Sequence, residues 1–589
     1  MDLEFYLQRA SHFQSKASQV EKVIRKYALS RLFVALIILL FIYLGFKVQW
    51  FFYPVPLLIV LFFRLVQKQT IKEDEHKIFL RLVTLNQWEH EASHFNFTNF
   101  PDGVRFNDAH HSFSYDLDIF GHGSLFQYLN RCATKQGENK LAKDLTDLKF
   151  SKESVVQRQG AIRELGSLIE FRQQCWAIGK EIHDSDFNLE ALWHWLKQPS
   201  LFHGKKIFSI VRWALPVITC IALLRFAFEP SFWPVFSFLF LAQLSLAAAY
   251  NKPITKLQRE LSSYRVILEN YSRIFNLMKA PLFTSAVMRA HQGIAIEATG
   301  HVKRISSLIN AIESRMNLFA RLFGNGLFLY DFHCVSNLEH WREQRGSALP
   351  GWLESLAEWD ALLSFATFHS NHPHYAFGEI DEEFMIKGKE VGHPLIPVAE
   401  RVNNDFSLGE PAQLMLITGA NMAGKSTFLR TVGVNYLMAS NGAPVCASQW
   451  TSPLAELRTG MRTSDSLQDH QSYFYAELNR LKTIMEELHA GKPVIILLDE
   501  ILKGTNSTDK QTGSRELIKQ LIQQKSLVII ATHDIALGDL EQQYPDYIVN
   551  TCFEGNIENG QLTFDYQLKR GLAQKANATF LMKKMGIIP

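Results

Sequence analysis

The stretch Leu414-Met415-Leu416-Ile417-Thr418-Gly419-Ala420-Asn421-Met422-Ala423-Gly424-Lys425-Ser426-Thr427 decides how the C-terminal third of this 589-residue chain is read. An apolar run ends at Thr418 and passes into a glycine-bearing turn, and the pattern GxxxxGK[ST] is matched in full. The pattern predicts a strand, a tight turn and a helix. Backbone N–H groups of such a turn, backed by the helix N-terminus, wrap phosphate oxygens. Gly419, Asn421, Met422, Gly424, Lys425, Ser426 and Thr427 are the expected cradle for ATP. Lys425 is placed to neutralise the β- and γ-phosphates, and Ser426 to hold Mg²⁺.

Two further runs have the same character. Val494-Ile495-Ile496-Leu497-Leu498 ends in Asp499-Glu500, as a strand buried on both faces does before it delivers acids to a site. Asp499 is expected to organise Mg²⁺, and Glu500 to orient and help deprotonate the attacking water. Leu527-Val528-Ile529-Ile530-Ala531 leads to Thr532-His533-Asp534, which brings His533 near the γ-phosphate. Together these pieces specify a P-loop sheet of the kind found in ABC-type ATPases. The LSGGQ-like helix start of transporter ATPases does not occur. In its place stands Asp465 to Leu478, with a helix expected from near Ser472 towards Leu488. The positive end of that helix, at Gln471 and Ser472, can cap a γ-phosphate across a dimer interface.

At this point the chain resembles the MutS family, and within it the membrane-anchored MutS-like relatives. TGANMAGKSTFLRTVG (418–433), HQSYFYAEL (470–478), LLDEILKGTNSTD (497–509) and ATHD (531–534) carry the resemblance. The resemblance implies that Ser472 contacts the nucleotide of a partner subunit and that Lys503 to Ser507 lie at the dimer interface. It also implies that His393-Pro394 borders the nucleotide site and that the tail ends in dimer-stabilising helices. The likeness is strong over 385–589. It is weaker at SLFQYLNRCATKQG (124–137) and VVQRQGAIRELGSL, which look like the start of the family's central helical domain.

Upstream, apolar residues dominate Leu32 to Phe46, Trp50 to Phe63, Ile207 to Leu224 and Ser231 to Tyr250. Read in pairs, they predict two transmembrane hairpins, 31–66 and 207–250. Lys22, Arg25, Lys26 and Arg31 precede the first pair, and Arg64, Lys68 and Lys72 follow it. Lys205, Lys206, Lys252 and Lys256 flank the second. The positive-inside bias puts both termini and the ATPase domain on the cytoplasmic side of a bacterial inner membrane. The remaining divisions are an N-terminal cytoplasmic helix (1–30), a helical core segment (67–206), a helical lever segment (251–384) and the ATPase domain (385–589). The expected architecture is thus an α/β P-loop NTPase domain of ABC/MutS type after an all-α core and lever domain, with four transmembrane helices. Leu257, Leu261, Tyr264, Ile267 and Leu268 are expected on one or two long lever helices, with Trp341, Trp352 and Trp359 in the core.

The net charge of +3, from 61 basic and 58 acidic residues, gives no global case for nucleic-acid binding. Six scattered cysteines without a CxxC pair suggest neither a disulfide framework nor a zinc site. The irregularly spaced His90, His94, His110, His111 and His122 suit surface or packing roles better than metal binding. Mismatch-reading relatives carry a Phe-x-Glu wedge domain; a membrane hairpin stands in its place here, so mismatch discrimination has no visible agent. Ten cations between Lys256 and Arg321 leave duplex DNA open as a partner. The expected assembly is a homodimer at the membrane with two composite ATP sites. Three roles compete: a DNA-linked ATPase, a membrane-remodelling or transport-linked ATPase, and an ATP-switched scaffold.

Overall fold

Apolar runs flanked by turn residues become the middle of a sheet. In the computed structural model, which describes residues 4–148, 151–180, 189–410, 412–462, 473–502, 506–558 and 561–573, the strands are Leu414–Gly419, Val494–Asp499, Ser526–Thr532 and Ile548–Phe553. The six-stranded sheet runs in the order Lys569–Arg570, Ile548–Phe553, Leu414–Gly419, Ser526–Thr532, Val494–Asp499, Glu456–Gly460. The inner pairings are parallel, and only the edge strand Lys569–Arg570 is antiparallel. Strands of such a sheet are covered on both faces and are therefore apolar throughout, not alternating. Leu416, Ile496, Val528 and Ile530 are buried together with Ile484, Leu488, Ile518 and Leu521 from the flanking helices Tyr473–His489 and Ser507–Leu521.

Register carries the functional consequence. Thr418 stands opposite Thr532 and Cys552, and Asp499 opposite Ala531. The segments that follow these residues therefore leave the sheet at one carboxyl edge, where open α/β sheets bind ligands. A four-stranded sheet lies beside it in sequence, ordered Glu379–Ile380, Gln449–Ser452, Ile386–Val391, Asn404–Leu408. A bulge between Gly388 and Val391 puts Glu390 at φ +50°.

The described chain divides into two compact units. One comprises Met1–Arg131, Glu138–Ile169 and Ala361–Pro589, and holds both sheets. The other comprises Cys132–Gly137 and Glu170–Asp360. In the first unit, a single helix, Phe5–Gly45, carries both the polar N-terminal residues and the first apolar run, since neither Gly nor Pro occurs to stop it before Gly45. A short 3₁₀ turn, Gln49–Phe52, and Pro54 separate it from the helix Val55–Ser93.

The second unit is helical. Its apolar pair is Lys206–Phe228, with Pro216 inside, and Trp233–Ala249. The expected long helices from Thr255 are two, Asn251–Ser262 and Tyr264–Met278, followed by Ala286–Glu313. Leu257, Leu261, Tyr264, Ile267 and Leu268 are all buried, as are Trp341, Trp352 and Trp359. Among the described residues, four helical stretches, Phe5–Gly45, Gln49–Ser93, Lys206–Phe228 and Pro230–Ala249, are long and apolar enough to cross a membrane. Their outward residues agree with that composition: Phe33 is 65% and Phe238 71% exposed.

Candidate functional site

The turn after Leu414–Gly419 demands glycine twice. Gly419 has φ +152°, and a Cβ there would come within 2.6 Å of the Phe553 carbonyl oxygen. Gly424, at φ +105°, is the N-cap of the helix Lys425–Ser440. Met422 adopts φ +67° without being glycine and is 83% exposed. Backbone conformations of that kind persist where the surrounding structure enforces them, and they concentrate at functional sites.

Lys425 opens the helix with its side chain turned inward. Its Nζ donates to the carbonyls of Gly419 at 2.8 Å and Ala420 at 3.0 Å, and lies 3.3 Å from His533 Nε2. The Ser426 hydroxyl donates to Asp499 Oδ2. Glu500 follows with φ +59°, and its N–H extends the sheet ladder to the Ala531 carbonyl at 2.8 Å. That twist turns the Glu500 carboxylate towards His533, with Oε1 3.2 Å from Nε2. The Lys425 ammonium and the Glu500 carboxylate thus meet at the same ring nitrogen of His533. Partial burial is the largest influence on His533, and the Lys425 ammonium adds to it. Both hold the ring below its ordinary pKa of 6.5, against the opposing pull of Glu500 and Asp499.

These groups line one wall of a cleft of about 870 Å³, within the size range of small-molecule sites. Asn421, Met422, Gly424, Lys425, Ser426, Thr427, Asp499, Glu500, His533 and His393 all border it. Gly419 contributes through its carbonyl to Lys425. His393 is 8% exposed; burial, reinforced by Arg430 and Arg401, drives its pKa down to about 4. Its Nδ1 accepts the Leu395 N–H at 3.2 Å, so the neutral ring shapes the wall of the cleft. Ser472 and Lys503 to Thr505 lie outside the described residues, as does the tail beyond Ala573. The helix Tyr473–His489 begins one residue after Ser472.

Sequence reasoning missed Arg401, Asn404 and Tyr566, which also line the cleft. Asn404 Nδ2 donates to the Tyr566 carbonyl at 3.0 Å, and its Oδ1 accepts the Leu568 N–H at 2.7 Å, pinning a segment more than 160 residues away. No local motif announces such a residue. Arg401 connects the cleft with the interior: its Nη1 donates to the Tyr375 hydroxyl at 2.8 Å, and the Tyr375 ring stacks on His372. His372 Nε2 lies 2.9 Å from the Tyr128 hydroxyl. Next to it, Asn371 accepts from the Tyr6 hydroxyl at 2.5 Å and donates to Glu89 at 3.2 Å. Glu89 in turn pairs with the buried Arg131 at 2.6 Å. Tyr6 and Glu89 stand on the two arms of the first helical pair.

A second junction was equally invisible. The fully buried Asp116 accepts from Thr459 Oγ1 at 2.6 Å, from the Arg462 N–H at 2.9 Å and from Arg480 Nη1 at 2.9 Å. Arg480 belongs to the helix Tyr473–His489, and Arg430, on the helix Lys425–Ser440, donates to the Asp116 carbonyl at 3.0 Å. One loop residue therefore ties together the strand Glu456–Gly460 and the helices on either side of it in sequence.

Residues 415–587 match the family described as MutS domain V. The DNA mismatch repair protein MutS of Thermotoga neapolitana is 32% identical over 228 residues, which are 38% of this chain and 28% of that protein. The MutS protein of Bacillus subtilis is 33% identical over 233 residues, 38% of this chain and 26% of the relative. The Listeria monocytogenes protein matches further, 26% identical over 332 residues, or 54% of this chain and 37% of the relative. The chain therefore spans about a quarter to somewhat over a third of the length of these relatives. A mostly helical N-terminal region thus precedes an α/β domain that is similar, over residues 415–587, to MutS domain V.

Proposed function

We propose that the cleft binds ATP and hydrolyses it with Mg²⁺, in a homodimer anchored in a bacterial inner membrane through 31–66 and 207–250. The observation that carries the reading is the convergence of Lys425, Ser426, Asp499, Glu500 and His533 on one rim of a cleft large enough for a nucleotide. A hydroxyl and a carboxylate already in contact, Ser426 and Asp499, are the hard oxygen donors that suit Mg²⁺. When bound, the ion would neutralise charge on the phosphate oxygens. Lys425 exchanges its carbonyl partners for the β- and γ-phosphates. Glu500 orients a water and takes its proton as the new O–P bond forms and the bond to ADP breaks. His533, neutral, helps to hold that water. Ser472 of the other copy completes the site, as the family resemblance suggests.

The relatives are named for DNA mismatch repair, and duplex DNA is the second reading. Weighing against it, four of the ten cations between Lys256 and Arg321 are engaged with carboxylates: Lys256 with Glu260, Arg265 with Glu313, Arg273 with Glu269 and Arg315 with Asp331. We therefore favour a nucleotide-switched ATPase acting at the membrane, by remodelling, transport or recruitment of partners. The test is ATP turnover by the full chain in nanodiscs, with and without duplex DNA at two salt concentrations. Lys425→Ala is expected to abolish nucleotide binding. Glu500→Gln should bind ATP and lose about 10²–10⁴ in turnover. Undiminished turnover in both variants would overturn the reading. Stimulation by duplex that disappears at high salt would restore DNA as the partner.

A further inference from the structure

Among the polar helices of the second unit, one does not fit its surroundings. Leu318–Phe328, LFARLFGNGLF, contains a single charge, Arg321. It nevertheless turns apolar side chains outward: Leu318 is 72%, Phe319 73% and Phe323 50% exposed, and Met316 just before it 77%. Each such side chain left in water forgoes the free energy that burial of an apolar group gains. Several within two turns form a patch of the kind that marks a contact surface.

The neighbours indicate what covers it. The helix packs against both arms of the second apolar pair, Lys206–Phe228 and Trp233–Ala249. At Gly326 the approach is so close that a Cβ would come within 2.2 Å of the Phe240 ring. The outward side chains of that pair, Phe238 at 71% and Leu241 at 60% exposure, extend the same apolar surface. Both ends of the helix return to a polar base. Arg315, before it, pairs with Asp331, after it, at 3.1 Å, and also donates to Asn251 at 2.7 Å, where the second arm ends. The chain turns at Leu329, φ +48° and fully buried, with the Asp331 N–H capped by Asn325 Oδ1 at 2.9 Å. Irregular backbone is tolerated at membrane depth only when satisfied and covered in this way. Eleven helical residues span about 16 Å, roughly half of a hydrocarbon core of about 30 Å, so the helix can enter a bilayer but not cross it.

We propose that Leu318–Phe328 is a third membrane-immersed element, a short helix that dips into the bilayer beside the second hairpin. Lipid acyl chains cover Leu318, Phe319 and Phe323, and Arg321 reaches back to the headgroup phosphates. The proposal rests on the reading of 207–250 as membrane-spanning. Its test uses the full chain in vesicles of phosphatidylethanolamine and phosphatidylglycerol. A photoreactive diazirine amino acid is introduced singly at Phe319, at Phe238 on the hairpin, and at Lys303, an exposed polar position. Phe319 is expected to form lipid adducts as Phe238 does, about tenfold above Lys303. Adducts at Phe238 but not at Phe319, or crosslinks from Phe319 to a second copy of the chain, would overturn the proposal and leave the hairpin standing. No adduct at either apolar site would overturn both.

Discussion

His533 sits between an ammonium and a carboxylate, and its protonation sets what the rim of the cleft can do. Because burial and Lys425 hold its pKa below 6.5, the ring is neutral at pH 7 and can accept a hydrogen bond from Lys425 or from water. As pH falls, a second cation would form beside Lys425. Turnover is therefore expected to decline along an acid limb centred below 6.5. His533→Asn should remove that limb and lower the plateau by about a hundredfold; a limb unchanged in the variant would assign it to another group. The motif residues were legible because fixed spacing on strand ends brings them to one edge of the sheet whatever the rest of the chain does. Arg401, Asn404, Tyr566 and Asp116 were not, because their positions depend on segments far apart in sequence meeting in space.

At the scale of elements, Gly433 shows two effects in competition. Glycine inside a helix is less favourable than alanine by about 1 kcal/mol, which argues for Gly433→Ala as a stabilising change. A Cβ there, however, would meet Leu117 at 2.7 Å and Leu497 at 3.1 Å, both fully buried. Overpacking of that kind costs about 1–3 kcal/mol, so the variant is expected to be destabilised, measured as a lower denaturant midpoint. Asp116→Asn keeps the side-chain shape but loses the charge that Arg480 pairs with. With Arg480 left partly buried and without its anion, turnover should drop further than the nucleotide affinity of an isolated protomer, because the affected helix Tyr473–His489 lies outside the cleft wall. Equal losses in both would argue for a general loss of folding. The strands were readable from sequence because buried parallel strands are apolar at every position. The helix Leu318–Phe328 was not, since eleven residues that include Arg321, Asn325 and two glycines fall short of any spanning pattern and blend into the lever segment.

For the whole molecule, the first unit carries an acid sensitivity in its interior. His372 and His393 are both held near pKa 4 by burial, against 6.5 when unfolded. Between these values the unfolded chain binds protons that the folded one refuses. The stability is therefore complete above pH 6.5 and drains away as pH falls towards 4. At pH 5 each histidine accounts for a loss of about 2 kcal/mol. Unfolding in detergent at pH 7 and pH 5 should show a drop about 2 kcal/mol smaller in His372→Asn than in the parent chain; an unaltered drop would mean that the ring is not buried neutral. The same histidine lies on the route from Arg401 through Tyr375 to Tyr128, beside the contacts of Tyr6 and Glu89. Because thermodynamic linkage runs in both directions, a nucleotide that, under the proposed function, shifted Arg401 would strain the feet of the first helical pair. If that pair sits in a bilayer as proposed, a shift of those feet would in turn alter how tightly nucleotide is held. Lipid thickness would then act as an effector of the proposed ATPase, readable as a nucleotide affinity that differs between thin and thick vesicles and loses that difference in Tyr375→Phe.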